Sequence, residues 1–155
     1  MHASIRSEYE VKAAFLYNFT RFVSWPHIGN ASESLEVCVF GDDPFGDLLD
    51  PLRGRQSQGR ELQLRYPDNA TNLSGCHVLY IAQAQSRTLG ELLTLAEQQG
   101  MLTVSDLPGF VGKGGMVGYV KRGNVIRFEI SLKAATEAGL TINSRLLELA
   151  VRVIR

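Results

Sequence analysis

The sequence predicts an α/β fold: a single domain with a mixed β-sheet, helices on both faces, a C-terminal hairpin and a closing helix. Three observations predict it. Short β-branched, apolar runs such as "LEVCVF" and "CHVLYIAQA" alternate with amphipathic segments through roughly the first hundred residues, the pattern of strands joined by helical crossovers. Two further strand-like runs flank Arg122-Gly123-Asn124, whose Gly-Asn pair suits a two-residue hairpin loop. A chain of 155 residues, 45% hydrophobic and 21% charged, is long enough for one core and has no segment biased towards disorder.

In "VKAAFLYNFTRFVSWP", Val11, Phe15, Phe19 and Phe22 recur at helical spacing with Leu16 and Val23 beside them. A helix from about Ser7 to Ser24 follows, buried along that stripe and stopped by Pro26, which has no N–H and disfavours helical geometry at Trp25. Residues 1–7 are expected to form a tail ahead of a single domain at 8–155, with Met1-His2 read as an expression start. "LEVCVF" (35–40) is a strand, and Asp43-Pro44 is a cap and first-turn pair for a helix reaching about Leu52. After a Gly, Gln and Ser-rich connection, Leu62 and Leu64 alternate with Gln63 and Arg65 as a half-buried strand. "CHVLYIAQA" reads as a buried strand, and "SRTLGELLTLAEQQG" as a helix capped by Ser86 and stopped by Gly100. "MLTVSD" is another strand, 116–121 and 125–130 form the hairpin, and "TINSRLLELAVRVIR" is the closing helix. Asn143 or Ser144 caps it, and its stripe is Leu146, Leu149, Ala150 and Val153.

Charge and motif content exclude several function classes. Sixteen basic and sixteen acidic side chains balance, so the basic stripe that nucleic acid requires is missing. No apolar run is long enough to span a bilayer. His2, His27 and His77 show no ligand spacing with Cys38 and Cys76, so neither a metal nor a cofactor is expected. "GFVGKGGMVGYV" lacks the first glycine and the Ser/Thr of a phosphate-binding loop and leads into a hairpin; it reads as a tight loop before an edge strand. No serine elbow, oriented cysteine or set-apart acid pair supports catalysis. Arg53, Arg55, Arg60 and Arg65 make one locally basic stretch, read as a solvated loop or as a surface for an acidic partner.

Gly41-Asp42-Asp43 after the first strand is like the acidic pocket of response-regulator receivers, but "HVLYIAQA" has no aspartate to complete it. If this loop and Ser105-Asp106 line a crevice at strand carboxyl ends, the aspartates repel phosphate and favour an amine or cation. Cys38 and Cys76 either form a disulfide worth roughly 3–4 kcal/mol on the chain-entropy model, or remain two buried thiols.

Six ordered segments, "EYEVKAAFLYNFTRFVSWP", "VCVFGDDPFGDLL", "LTVSDLPGF", "GGMVGYV", "IRFEISLKAATEAGL" and "SRLLELA", together resemble the YfiR family of small exported bacterial proteins. The resemblance implies a periplasmic α/β protein without an active site. It would bind the periplasmic sensor domain of an inner-membrane diguanylate cyclase and hold cyclic-di-GMP synthesis, and with it biofilm formation, down. It also implies an outer-membrane OmpA-type lipoprotein that sequesters the repressor, and homodimers. An export signal would have been removed upstream. An oxidising periplasm favours a Cys38–Cys76 disulfide, whereas the second cysteine pair of some family members has no counterpart between Phe110 and Tyr119. Aromatic and arginine side chains dominate interface hot spots, so Tyr17, Arg21 and Trp25 are the expected partner surface, with Arg127 and Phe128 structural. The rival reading is a periplasmic small-ligand sensor module whose pocket is built from Gly41, Asp42, Asp43, Ser105 and Asp106.

Overall fold

The computed structural model describes residues 5–27, 33–82 and 86–155; residues 1–4 of the expected tail and the side chain of the expected cap Ser86 lie outside that description. The strands are β1 (Val23–Ser24), β2 (Leu35–Phe40), β3 (Gln56–Ser57), β4 (Arg60–Arg65), β5 (Val78–Ile81), β6 (Leu102–Ser105), β7 (Val117–Arg122), β8 (Val125–Ser131), β9 (Thr141–Ile142) and β10 (Arg152–Ile154). The helices are α1 (Ile5–Phe22), α2 (Ser86–Gln99), α3 (Leu132–Glu137) and α4 (Ser144–Leu149). Eight strands make one mixed sheet in the order β10-β8-β7-β6-β5-β2-β4-β3. Within it β4, β2, β5, β6 and β7 run parallel, and β8 returns antiparallel to β7 through the predicted Gly123-Asn124 loop.

The chain leaves β2 towards β4 on one side, then comes back to build β5, β6 and β7 on the other. Strand order therefore reverses at the β2–β5 junction, as in doubly wound sheets of the flavodoxin type. Alternation along the central strands splits the core in two. Val37, Val39, Val78 and Tyr80 face α1, where they meet Leu16 and Phe19. Cys38, Leu79 and Ile81 face α2, where they meet Leu89, Leu92 and Ala96. All four residues of β5 are fully buried, as expected of a parallel strand covered on both faces. Each such apolar side chain contributes about 1.5–3 kcal/mol by leaving water.

Several expectations need correction. The buried stripe of α1 is Ala13, Leu16 and Phe19, continued by Val23 of β1, whereas Val11 is 42% exposed and Phe15 and Phe22 are half-buried. The rotation brings Lys12 inside, because its ammonium has carboxylate partners there that a hydropathy pattern does not register. The helix stops at Phe22 rather than Ser24, since Val23 and Ser24 pair with Ile142 and Thr141 and the Asn143 N–H donates to the Phe22 carbonyl. Residues Ile5 to Ser7 of the expected tail are its first turn.

The helix expected after Asp43-Pro44 is a 3-10 helix, Gly46–Leu52. The Asp43 carboxylate accepts from the Phe45 and Gly46 N–H groups, which closes a tight turn first, and Pro51 withholds a donor within the segment. The closing helix is cut short. Asn143 caps α4, but the helix ends at Leu149, which is 55% exposed, and Arg152–Ile154 add to the sheet as the edge strand beside β8. A β-branched Val-Arg-Val-Ile tail satisfies the open edge of β8 better than it continues a helix. The strand β7, expected at an edge, is interior because it pairs with β6 on one side and β8 on the other. Helix α3, capped by the Ser131 hydroxyl, was not anticipated.

The glycine-rich segment serves close packing. A Cβ on Gly115 would lie 2.2 Å from the Phe110 ring, and one on Gly118 would lie 3.2 Å from Val111 Cγ2. Phe110, 1% exposed, lies across these bare backbones and fills the α2-side core.

Candidate functional site

Loops after β2, β5 and β6 meet at the carboxyl ends of the parallel strands, beside the order reversal, where open α/β sheets form their binding crevices. A cavity of about 470 Å³ lies there, lined by Asp42, Asp43 and Pro44 after β2, Ala82 after β5, and Asp106 with Leu107 and Pro108 after β6. Tyr9 on the first turns of α1 forms the remaining wall. The structure thus brings together three of the five expected pocket residues. It leaves Gly41 and Ser105 out of the lining: Gly41 is an exposed turn at φ 95°. Ser105 is fully buried, its hydroxyl donating to the Ile81 carbonyl and accepting from the Leu107 N–H.

An ionic network centred on the buried Lys12 underlies the crevice. Lys12 Nζ, 5% exposed, donates to Glu8 Oε2 at 2.8 Å and to Asp106 Oδ2 at 3.0 Å, and lies 4.3 Å from the Tyr9 ring centroid. Lys121 Nζ reaches Glu8 Oε1 at 2.9 Å. The two lysines hold the Glu8 carboxyl below its usual range through hydrogen bonds to it. Tyr9 Oη donates to Asp106 Oδ2 at 2.6 Å; burial, then this contact with an anion, raises the phenol well above its ordinary pKa. Tyr119 Oη donates to the Lys12 carbonyl and fixes α1 over the sheet. The i, i+4 pair Glu8–Lys12 was the one sign of this network in the sequence. Asp106 as its long-range partner had no local signal.

Beneath Tyr9 and Asp106 lies Tyr80, fully buried. Its hydroxyl is the buried side-chain polar atom without a hydrogen-bond partner among the described residues. Burial first, then the nearby Asp106 charge, pushes its pKa far upward. The phenol lies close to the Asp106 carboxylate and the Tyr9 hydroxyl, outside the lining of the cavity itself.

The expected partner surface divides. Trp25 is 6% exposed and its indole Nε1 donates to the His77 carbonyl at 2.9 Å, which makes it a core residue. Tyr17 is half-buried, donates to the Gln56 carbonyl and carries the Arg55 guanidinium 3.7 Å from its ring centroid. Arg21 is exposed. The basic stretch is engaged within the fold: Arg53 pairs with Asp50, Arg60 donates to the Glu33 carbonyl, and Arg65 to the Ser74 and Asn72 carbonyls. Phe128 is core and Arg127 is exposed.

Cys38 on β2 and Cys76 just before β5 are joined in a disulfide, Cα to Cα 6.0 Å, in the α2-side core. The neighbouring parallel strands bring them together, and the bridge fits an oxidising compartment. Among the described residues no helix is long and apolar enough to cross a membrane.

No curated protein matches the sequence. Among solved structures, the fold is similar to a conserved domain protein from Vibrio cholerae O1 biovar El Tor strain N16961. The TM-score is 0.55 at 12% identity, over 94% of this chain and 60% of that one. This chain therefore spans less than two thirds of that protein's length, and the likeness concerns the fold alone. A family described as YfiR/HmsC-like matches residues 9–151, which takes in the crevice and the disulfide, and the chain belongs to that family.

Proposed function

We propose that the protein is an exported periplasmic regulator that binds the periplasmic sensor domain of an inner-membrane diguanylate cyclase and lowers its cyclic-di-GMP output. The observation that carries this reading is membership of the YfiR/HmsC-like family over residues 9–151. The Cys38–Cys76 disulfide supports an oxidising compartment. The regulator acts by binding one state of the cyclase better than the other, so that its differential affinity sets the fraction of active enzyme. The family resemblance extends the proposal to an OmpA-type lipoprotein that competes for the regulator, and to self-association.

The outward side of α1 is the candidate contact surface, with Arg21 exposed and Tyr17 beside it; Trp25, being buried, is not part of it. Deleting the gene in a strain with its cyclases intact should raise cyclic-di-GMP and biofilm mass, and complementation should restore both. Unchanged levels in the deletion strain would refute the regulator. An Arg21→Glu variant that complements fully would move the contact surface elsewhere.

The crevice supports a second role on the same chain, that of a ligand-responsive module without catalytic activity.

A further inference from the structure

Where the end of α1 meets the connection before β3, positive charge gathers without a counter-charge. Residues 13–22 and 51–60 hold Arg21, Arg53, Arg55 and Arg60 and no Asp or Glu. Arg53 pairs with Asp50, and Arg60 donates to the Glu33 carbonyl. Arg21 and Arg55 are exposed, and neither guanidinium has an ion pair or a hydrogen bond among the described residues. Both lie against one ring: Arg55 is 3.7 Å from the Tyr17 centroid and Arg21 is 6.0 Å from it and 5.5 Å from that of Phe22. The two charges are thus no farther apart than the Debye length of about 10 Å at 0.1 M salt, and they repel one another.

The helix end does not need Arg21. An arginine in a last turn commonly serves the free carbonyls there. Here the Gln58 side-chain amide donates to the Thr20 and Val23 carbonyls, and the Asn143 N–H to that of Phe22. The same contacts make the surface rigid. Tyr17 Oη donates to the Gln56 carbonyl at 2.7 Å and Thr20 Oγ1 to Ser57 Oγ at 2.9 Å. Gln58 reaches its two carbonyls from a left-handed backbone, φ 53°, in the two-residue loop between β3 and β4. Tyr17 and its two arginines are therefore held in place before anything binds, and an ordered surface loses little conformational freedom on association. Tyrosine and arginine are also residues that carry much of the energy of protein interfaces.

A planar guanidinium matches a carboxylate, two hydrogen bonds at a time. We propose that Arg21 and Arg55, set on Tyr17, dock an acidic segment of a protein partner, one carboxylate to each guanidinium. The inference gives the chemistry of the contact surface on α1 and rests on the reading that this side of α1 meets a partner. A protein fits better than an anionic membrane, because a lipid-binding cluster takes about four to eight basic residues. The rings here are also half-buried, and the Tyr17 hydroxyl is bound to backbone, so no aromatic side chain is free to enter a headgroup layer.

The test is fluorescence anisotropy of labelled hexaglutamate titrated with the oxidised, full chain, with hexaglutamine as the neutral comparison. Saturable binding of hexaglutamate that weakens from low to physiological salt is expected, and none of hexaglutamine. Arg21→Glu and Arg55→Glu should each weaken it about three- to tenfold, and the double variant should abolish it. Arg21→Lys and Arg55→Lys, which keep the charge and lose the fork, should retain part of the affinity and guard against a folding defect in the reversed variants. Arg127→Glu, at an exposed position on β8, should bind as the parent does. In a deletion strain the double Arg21→Glu, Arg55→Glu protein should fail to restore low cyclic-di-GMP, whereas Arg127→Glu should restore it.

The docking surface is refuted by an absence of saturable hexaglutamate binding, by equal weakening in Arg127→Glu, or by full complementation with the double variant. Sedimentation of the parent, but not of the double variant, with phosphatidylglycerol vesicles would replace the protein partner by a membrane. A parent dimer that the double variant dissolves would replace it by a second copy of this chain. Peptide binding that needs both arginines, with no effect of gene deletion, refutes the regulator and leaves the docking surface standing. A deletion effect that the double variant complements in full, without peptide binding, does the opposite.

Discussion

Substituting Gly115 by alanine would place a methyl carbon 2.2–2.5 Å from three ring atoms of Phe110, well inside van der Waals contact. The ring cannot yield by a small shift, since it is 1% exposed and packed among residues such as Leu92 and Met101 in the α2-side core. It must change rotamer or lift off the sheet. Overpacking of this kind costs about 1–3 kcal/mol, and losing the ring's burial altogether would cost about 3–5 kcal/mol. Since three atoms clash, the expected loss is about 3 kcal/mol. For a chain of this length that is a fall in melting temperature of about 6–12 °C. Urea unfolding followed by circular dichroism should show a lower midpoint with an unchanged slope. Gly112→Ala is the control, because a Cβ there meets nothing and the backbone is not left-handed; it should be within about 0.5 kcal/mol of the parent or slightly stabilised. Adding Phe110→Leu to Gly115→Ala should recover part of the loss. A Gly115→Ala protein as stable as the parent would refute the account of this segment as a cradle for Phe110.

Replacing Cys38 and Cys76 together by serine opens a bridge spanning 38 residues, and should cost roughly 4 kcal/mol on the chain-entropy model. Urea midpoints of the parent with and without reductant measure the same quantity, and coincident curves would show that the bridge contributes nothing. For pH, burial first, then repulsion from His27 and Arg60, pushes the His77 imidazole down to about 4, and its Nδ1 accepts from the Glu36 N–H. The unfolded chain takes up this proton near pH 6.5 and the folded chain only near 4, so the unfolded state binds more protons in between and stability falls as pH drops through that window. The full shift corresponds to more, but His77 is only half-buried and the expected loss is about 1–2 kcal/mol. A His77→Asn variant should lose most of this slope between about pH 6.5 and 4; an unchanged slope would assign the dependence to other groups.

The sequence by itself determined the α/β class and the central strands, whereas the bond between Cys38 and Cys76 followed from the tertiary structure. The runs at 35–40, 78–81 and 102–105 are short and rich in apolar and β-branched residues, which favours strands buried between helices. Hairpin 117–131 follows from one Gly-Asn loop. The acidic loop at Asp42-Asp43 and the pair Ser105-Asp106 were visible because residues just beyond parallel strands converge at one sheet end, whatever the strand order.

Only the tertiary structure decided the rest. Local pattern placed Val11 inside, yet Val11 is exposed and Lys12 is buried, because Asp106, distant in sequence, supplies the charge that makes burying an ammonium tolerable. Trp25 suggested a contact surface until the His77 carbonyl came within hydrogen-bonding distance of its indole. The last residues, helical by their spacing, became a strand because β8 had an unpaired edge to offer. Tyr9 gave no sign of lining a cavity; it does so only once the loops after β2, β5 and β6 have closed against the first turns of α1. Periodicity reports which side of an element avoids water, whereas partner atoms brought from far along the chain decide which polar groups can be buried there.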